Sequence, residues 1–179
     1  DAMGIETAHL VGHSMGGGIA AQLALDAPQR VRSLALIDSA GLGDEINADY
    51  IKGFVHSETR RELKPIAAML FANAELVTRQ LVADLLKYKR LDGVTEALEQ
   101  LSAGLFKDGH QSEQPGKALD AFDGPLLVIW GQDDRIIPSS HAAAAPSKAT
   151  VQVIDQAGHM PQMEKASEVN ALLRKHLAD

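Results

Sequence analysis

Cysteine is missing from all 179 residues, which excludes disulfides, thiolate catalysis and cysteine metal sites. Its absence fits a reducing compartment, so a cytoplasmic location is expected. No apolar run approaches the roughly 18 residues of a membrane span, and no signal peptide is visible. No membrane association is expected. Basic residues are outnumbered, 17 Lys and Arg against 24 Asp and Glu, for a formal net charge of −7. That sign argues against nucleic acid as a partner. Histidines are present, but not at ligand spacing on one helix face. His9 and His13 fall on a strand and a turn, and His56, His110, His141 and His176 stand alone, so no metal is expected. There is no internal repeat, low-complexity tract or interdomain linker. The opening Asp1-Ala2-Met3-Gly4 reads as the tail of a helix, so the chain is not expected to begin at a natural start.

What is present is one domain's worth of chain with ordinary apolar content, centred on Gly12-His13-Ser14-Met15-Gly16. An apolar run at 7–11 reads as a buried strand. A helix is expected from about 16 to 27, stopped by Pro28. A G-x-S-x-G sequence between strand and helix is a nucleophile elbow. Its serine sits in a strained backbone, and side chains two residues to either side would collide around it. Gly12 and Gly16 are expected to remove those collisions, and Gly17 and Gly18 to let the helix pack close to the strand. The N–H of Met15 opens the helix and is placed to donate to an oxyanion formed by attack of Ser14.

Residues 31–38 form a second aliphatic strand, completing a βαβ unit and hence a parallel pair. From about 44 to 115 the pattern is helical, with no convincing strand. Helices are expected at 58–71, 75–89 and 94–106. In the second, Leu76, Val77, Leu81, Leu85 and Tyr88 mark one face. An insertion of this length between parallel strands reads either as a lid over a site or as a plain helical excursion. Further strands are expected at 126–131 and 150–155, a short helix at 139–145, and a last helix begun and capped by Ser167. The layout is therefore 1–41 for the elbow part of the core, 42–117 for the helical lid, and 118–179 for the rest of the core.

In open α/β sheets, functional groups collect at the carboxyl ends of strands. Ser14 follows the first strand, Asp134 the third and His159 the fourth. A serine needs a histidine to take its proton, and the histidine needs a carboxylate to fix its tautomer. Ser14 is thus read as nucleophile, His159 as general base and then acid, and Asp134 as orienter. Asp133 and Asp38 are alternative acids, with Asp38 otherwise bonding locally; Asp155 reads as structural. The His13 side chain is expected to point away from the base. Gly41 and Gly43 are candidates to line a pocket.

Gly12-His13-Ser14-Met15-Gly16, Trp130-Gly131-Gln132-Asp133-Asp134 and Gly158-His159 resemble the α/β-hydrolase superfamily over essentially the whole chain, as the carboxyl-terminal part of that fold. The position three residues after Gly131 in the acid loop selects Asp134. More narrowly, Ile46-Asn47-Ala48-Asp49-Tyr50-Ile51, Ser57-Glu58-Thr59-Arg60-Arg61-Glu62-Leu63-Lys64-Pro65 and Asp84 through Val94 resemble the hydrolase-type C-terminal domain of the dihydrolipoamide acetyltransferase component of acetoin dehydrogenase complexes. Two departures accompany the resemblance. No His-Gly-type loop precedes Ser14, so the oxyanion hole has the Met15 N–H without the superfamily's second donor. The first strand lacks a neighbour, so the fragment alone is expected to be inactive and prone to self-association through that edge. Ordinary dihydrolipoamide acyltransferases carry H-x-x-x-D-G; here Asp92-Gly93 is present, but Tyr88 stands in the histidine position.

The resemblance implies acyl transfer through Ser14, from an S-acetyl-dihydrolipoamide carried on an upstream lipoyl domain to coenzyme A, within a multienzyme complex. It implies no prosthetic group bound to this chain. Lys87, Lys89 and Arg90 would either meet coenzyme A phosphates or a lipoyl domain, or form a solvated helix face. Two other readings stand beside it: a hydrolase of small esters or diketone-like C–C bonds, and a non-catalytic assembly module.

Overall fold

The structure is a computed structural model that describes residues 2–178. Its centre is a four-stranded parallel sheet in the order β1-β2-β5-β6. The strands are β1 (Ala8–His13), β2 (Val31–Ile37), β5 (Leu126–Gly131) and β6 (Thr150–Ile154). All three pairings are parallel, with Leu10 opposite Leu34, Leu36 opposite Val128, and Trp130 opposite Val153. Parallel strands covered on both faces read as continuous apolar runs rather than alternating ones. That is the texture of β2 and β5, nearly all of whose residues are buried.

The period of two divides these side chains between two cores. Leu34, Leu36, Val128 and Trp130 face α1 (Met15–Asp26), where Ala20, Ala21 and Ala24 form the buried stripe. Ala35, Ile37, Leu127 and Ile129 face the other way, against Val169, Leu172 and Leu173 of α7 (Ala166–Leu177). Small residues on α1 let the helix lie close: a Cβ on Gly17 would sit 2.3 Å from Ser39 Oγ. β1 is an edge strand with Val11 exposed, and α1 leaves Ile19 and Leu23 exposed on its outer side.

The helical segment between β2 and β5 differs from expectation in several places. It contains α2 (Ala48–His56), α3 (Arg60–Ala68), α4 (Arg79–Lys89) and α5 (Val94–Leu105). The helix α2 was not expected; Asn47 caps it by accepting from the Tyr50 N–H at 2.9 Å. The expected helix at 58–71 is shorter because the Thr59–Glu62 capping box fixes its start. The one at 75–89 is split, with a 3₁₀ turn over Ala74–Leu76 and a fresh start capped by Thr78. Two short strands, β3 (Phe106–Lys107) and β4 (His110–Gln111), make a hairpin where none was expected.

The buried face of α4 is Val82, Leu86 and Lys89, whereas Leu76 and Tyr88 are exposed. Val77 is buried and Leu81 and Leu85 pack partly covered against the same cluster, as expected, and the covered face widens by one residue to Val82 and Leu86 where Leu63, Ala67 and Phe71 meet it. Lys89 belongs to neither expected role: its ammonium is buried and donates to Phe54 O and to Val55 O at 2.8 Å.

At the other end, 139–145 is a 3₁₀ turn over Ser139–Ala144. Ser167 lies inside α7 and caps nothing; the helix follows a break at Lys165 after the short α6 (Pro161–Glu164). Residues 2–3 form a turn rather than the tail of a helix, and Asp1 lies outside the described residues.

Candidate active site

The carboxyl end of β1 delivers Ser14 in a conformation that few L-residues adopt, with φ 54° and ψ −124°. The ladder holds it there. Its N–H donates to Ile37 O at 3.0 Å, and its carbonyl accepts from Gly17 N, Gly18 N and Ala40 N. Strained backbone of this kind persists only where the surroundings over-determine it. Gly12 behaves as expected, since a Cβ there would lie 2.4 Å from Gly16 O. Gly16 does not: a Cβ on it would meet nothing within 4 Å. The crowded positions of the elbow are Gly12 and Gly17. Met15 is the first residue of α1, so its N–H is one of the first-turn amides without a partner inside the helix.

The carboxyl ends of β5 and β6 bring in two more residues. Asp134 sits in a tight loop, where its Oδ1 accepts from Ile136 N at 2.7 Å and Ile137 N at 3.1 Å. Its Oδ2 is 2.7 Å from His159 Nδ1, and Nε2 of the same ring is 2.8 Å from Ser14 Oγ. A carboxylate only accepts, so Nδ1 carries the proton and Nε2 is free to accept from the serine. His159 is buried and the Asp134 side chain is fully covered. The structure thus brings Ser14, Asp134 and His159 into one continuous hydrogen-bonded line. Asp133 stands outside it, with its N–H bonded to Ala157 O.

Two residues differ from their sequence reading. His13 points toward the base, not away: its Nε2 donates to His159 O at 2.7 Å, and the two rings are 4.9 Å apart. Burial, and next the neighbouring His159, pull its pKa from 6.5 to about 4, so it is neutral. The turn tightens enough to carry position 13 under the histidine loop, which residue spacing does not disclose. Asp38 follows β2, also with positive φ at 43°, and is fully buried. Its Oδ1 accepts from Gly131 N at 2.9 Å, at the end of the neighbouring strand β5, and it lies beside Asp134 and His159, with one ligand-type atom of each within 4.8 Å of the others.

The helical segment is tied to these loops. Arg135 donates to Ala68 O and Phe71 O at 2.7 Å each. Glu164 accepts from Gly158 N at 2.6 Å and Asn73 N at 3.1 Å. A mostly apolar cavity of about 280 Å³ lies beside Met15, lined also by Ile19, Ala40, Gly41, Phe106 and Pro115. Gly41 lines it as expected, but Gly43 instead gives room to the buried His141 ring, which a Cβ would approach to 2.5 Å. Among the described residues no helix is long and apolar enough to cross a membrane.

Comparison with known proteins adds four findings. The chain is 62% identical over 177 residues to the dihydrolipoyllysine-residue acetyltransferase component of the acetoin cleaving system of Cupriavidus necator, covering 99% of this chain and 47% of that protein. It is 50% identical to the component of the same name from Pseudomonas putida, covering 98% and 48%. The chain therefore spans about half the length of these curated relatives. A solved meta-cleavage product hydrolase from Pseudomonas fluorescens superposes with a TM-score of 0.87 at 22% identity, over 99% of this chain and 67% of that one, a likeness of fold. With the sequence profile of the alpha/beta hydrolase fold matching residues 1–166, the chain belongs to the α/β-hydrolase family.

Proposed function

We propose that this chain carries out serine-dependent acyl transfer, as the hydrolase-type part of an acetyltransferase component serving an acetoin-cleaving complex. Ser14 is the nucleophile, His159 the general base and then acid, and Asp134 the group that holds the imidazole. The observation that carries this is the line Ser14 Oγ–His159 Nε2 at 2.8 Å and His159 Nδ1–Asp134 Oδ2 at 2.7 Å. The 62% identity to the acetoin-system component directs it to an acetyl donor.

His159 takes the Ser14 hydroxyl proton as Oγ attacks the thioester carbonyl of S-acetyl-dihydrolipoamide. The Met15 N–H donates to the oxyanion. As it collapses, the carbon–sulfur bond breaks and His159 returns the proton to the leaving thiolate, giving acetyl-Ser14. The thiol of coenzyme A then attacks, its proton passing to His159 and back to Ser14, and leaves as acetyl-CoA. The chain supplies no prosthetic group in this scheme; the lipoyl group arrives on a separate domain. The layout 1–41, 42–117 and 118–179 assigns the middle segment as a cover for the site. The apolar cavity of about 280 Å³ beside Met15 supports a small acyl group there. Asp92-Gly93 does not supply an acyltransferase histidine motif. Gly93, with φ 80°, turns the chain into α5, and Tyr88 is exposed.

A second reading, hydrolysis of esters or of C–C bonds in diketone-like substrates, uses the same residues with water as acceptor. It is supported by 31% identity over 186 residues to a 2-hydroxy-6-oxononadienedioate/2-hydroxy-6-oxononatrienedioate hydrolase of Paraburkholderia phymatum, 97% of this chain and 63% of that one. One assay decides. The full natural chain is given S-acetyl-dihydrolipoamide and coenzyme A, and acetyl-CoA is quantified against acetate with Ser14→Ala as control. Ser14-dependent acetyl-CoA is expected. Ser14-dependent acetate makes it a hydrolase. If neither product depends on Ser14 and a fluorophosphonate does not label it, the assembly-module reading takes its place.

A further inference from the structure

Asp38 is a buried carboxyl that the proposed relay leaves unused. It ends β2, its N–H bonds to Ile129 O at 2.9 Å, and its Oδ1 accepts from Gly131 N at 2.9 Å. Its second oxygen, Oδ2, is buried and has no hydrogen-bond partner. A buried acceptor left without a donor is costly, and two anionic carboxylates side by side out of water cost more. The groups facing it are Asp134 from the loop after β5, His159 from the loop after β6, and Glu164 from α6. Two of those are carboxylates. Asp134 receives two backbone N–H groups and the imidazole N–H; Asp38 receives one N–H. The negative charge therefore belongs on Asp134.

We propose that Asp38 is a protonated carboxylic acid that donates its hydrogen bond to the Asp134 carboxylate, and so is a positioning residue of the Ser14–His159–Asp134 relay. The proton gives the orphaned oxygen a role, removes the like-charge pair, and adds a further donor to the carboxylate that holds His159. The same conclusion follows from solvation: burial first, and next to it the Asp134 charge, push the Asp38 pKa up to about 9. A cation among Asp38, Asp134 and His159 is a poorer occupant. Both ring nitrogens of His159 are already engaged, one by Asp134 and one by Ser14.

The role in catalysis rests on the proposed nucleophilic Ser14; the protonation does not. A hydrogen bond from Asp38 draws charge from Asp134 and fixes the plane of the carboxylate that holds His159. Asp38→Asn keeps both functions, since its carbonyl accepts from Gly131 N and its amide donates to Asp134. Asp38→Ala keeps neither.

The test uses the full natural chain carrying carbon-13-labelled aspartate. The Asp38 side-chain signal is identified by its loss in Asp38→Asn. The expected result is a protonated carboxyl shift held from about pH 5 to about pH 8, in the parent and equally in Ser14→Ala. Titration of that signal in the ordinary carboxylate range overturns the proposal, as does one-to-one zinc binding abolished by Asp38→Asn. For the relay, kcat/KM against pH should match the parent within about threefold in Asp38→Asn, with its acidic limb unmoved. If Asp38 were anionic, that limb would move to lower pH instead. Asp38→Ala, where it folds, should lower kcat about tenfold or more with little change in KM and move the limb to higher pH. Absence of any Ser14-dependent activity would sink the catalytic reading alone, because the carboxyl shift is read without turnover.

Discussion

Alanine at Gly12 and alanine at Gly16 should have opposite effects, although the elbow motif treats the two glycines alike. At position 12 the new Cβ would lie 2.4 Å from Gly16 O, 2.7 Å from Gly17 Cα and 2.8 Å from Gly16 C. All three atoms are backbone, so no side chain can swing aside. Restoring ordinary contact needs a displacement on the order of 1 Å between the end of β1 and the start of α1. The penalty belongs at the upper end of overpacking, about 3 kcal/mol. The displacement falls on Ser14, whose Oγ is 2.8 Å from His159 Nε2, and an error of that size costs about a hundredfold in rate. At position 16 a Cβ meets nothing within 4 Å, and alanine is the better helix former, so stability should rise by about 0.5 to 1 kcal/mol. Urea unfolding and the rate of fluorophosphonate labelling at Ser14 measure the two effects. Equal damage from both substitutions, or a Gly12→Ala protein with parental midpoint and labelling, would refute the steric reasoning.

His13 should make the fold sensitive to acid. The unfolded chain takes up its proton near pH 6.5 and the fold only near 4, so acid favours unfolding, and the contribution present above pH 6.5 is lost as pH falls. The loss reaches about 3 kcal/mol by pH 4. Denaturation at several pH values should show His13→Gln with a flatter pH dependence than the parent, and parallel curves would contradict the assignment. Arg135→Ala removes two charge-assisted bonds to Ala68 O and Phe71 O, for about 1 to 2 kcal/mol, since the guanidinium is partly solvated. Hydrogen exchange should then speed in α3 while β1, β2 and β5 hold; unchanged exchange in α3 would show that the tie carries little.

The parts legible in the sequence are those governed by local pattern. The aliphatic runs of β2 and β5 are visible because both faces of a parallel strand are covered, and the strand ends then place Ser14, Asp134 and His159 in order. What was hidden depends on distant partners. The orientation of His13 follows from how tightly the turn closes beneath a loop 146 residues away. The buried centre of α4, Val82 and Leu86, is set by Leu63, Ala67 and Phe71, and the burial of Lys89 by the Phe54 and Val55 carbonyls of α2, none of them adjacent in the chain. Asp38 was visible as a candidate acid after β2, but its place against Asp134 depends on the register of β2 with β5. The missed α2 did carry a signal, Asn47 ahead of a tyrosine and isoleucine, which the surrounding helical texture obscured.

The bonds from Arg135 and Glu164 into residues 68–73 limit how such a protein can be remodelled. The stretch between β2 and β5 looks like a cassette, replaceable to change what the site admits. Yet its middle is stitched to both the acid-bearing and the histidine-bearing loops, and Gly158 leaves room for it so closely that a Cβ would lie 2.7 Å from Ala72 N. A graft cut at the ends of the helical segment would carry one half of each tie and leave the other behind. Specificity and catalytic geometry are therefore inherited together, and exchange between relatives succeeds only when positions 135, 158 and 164 travel with the helices.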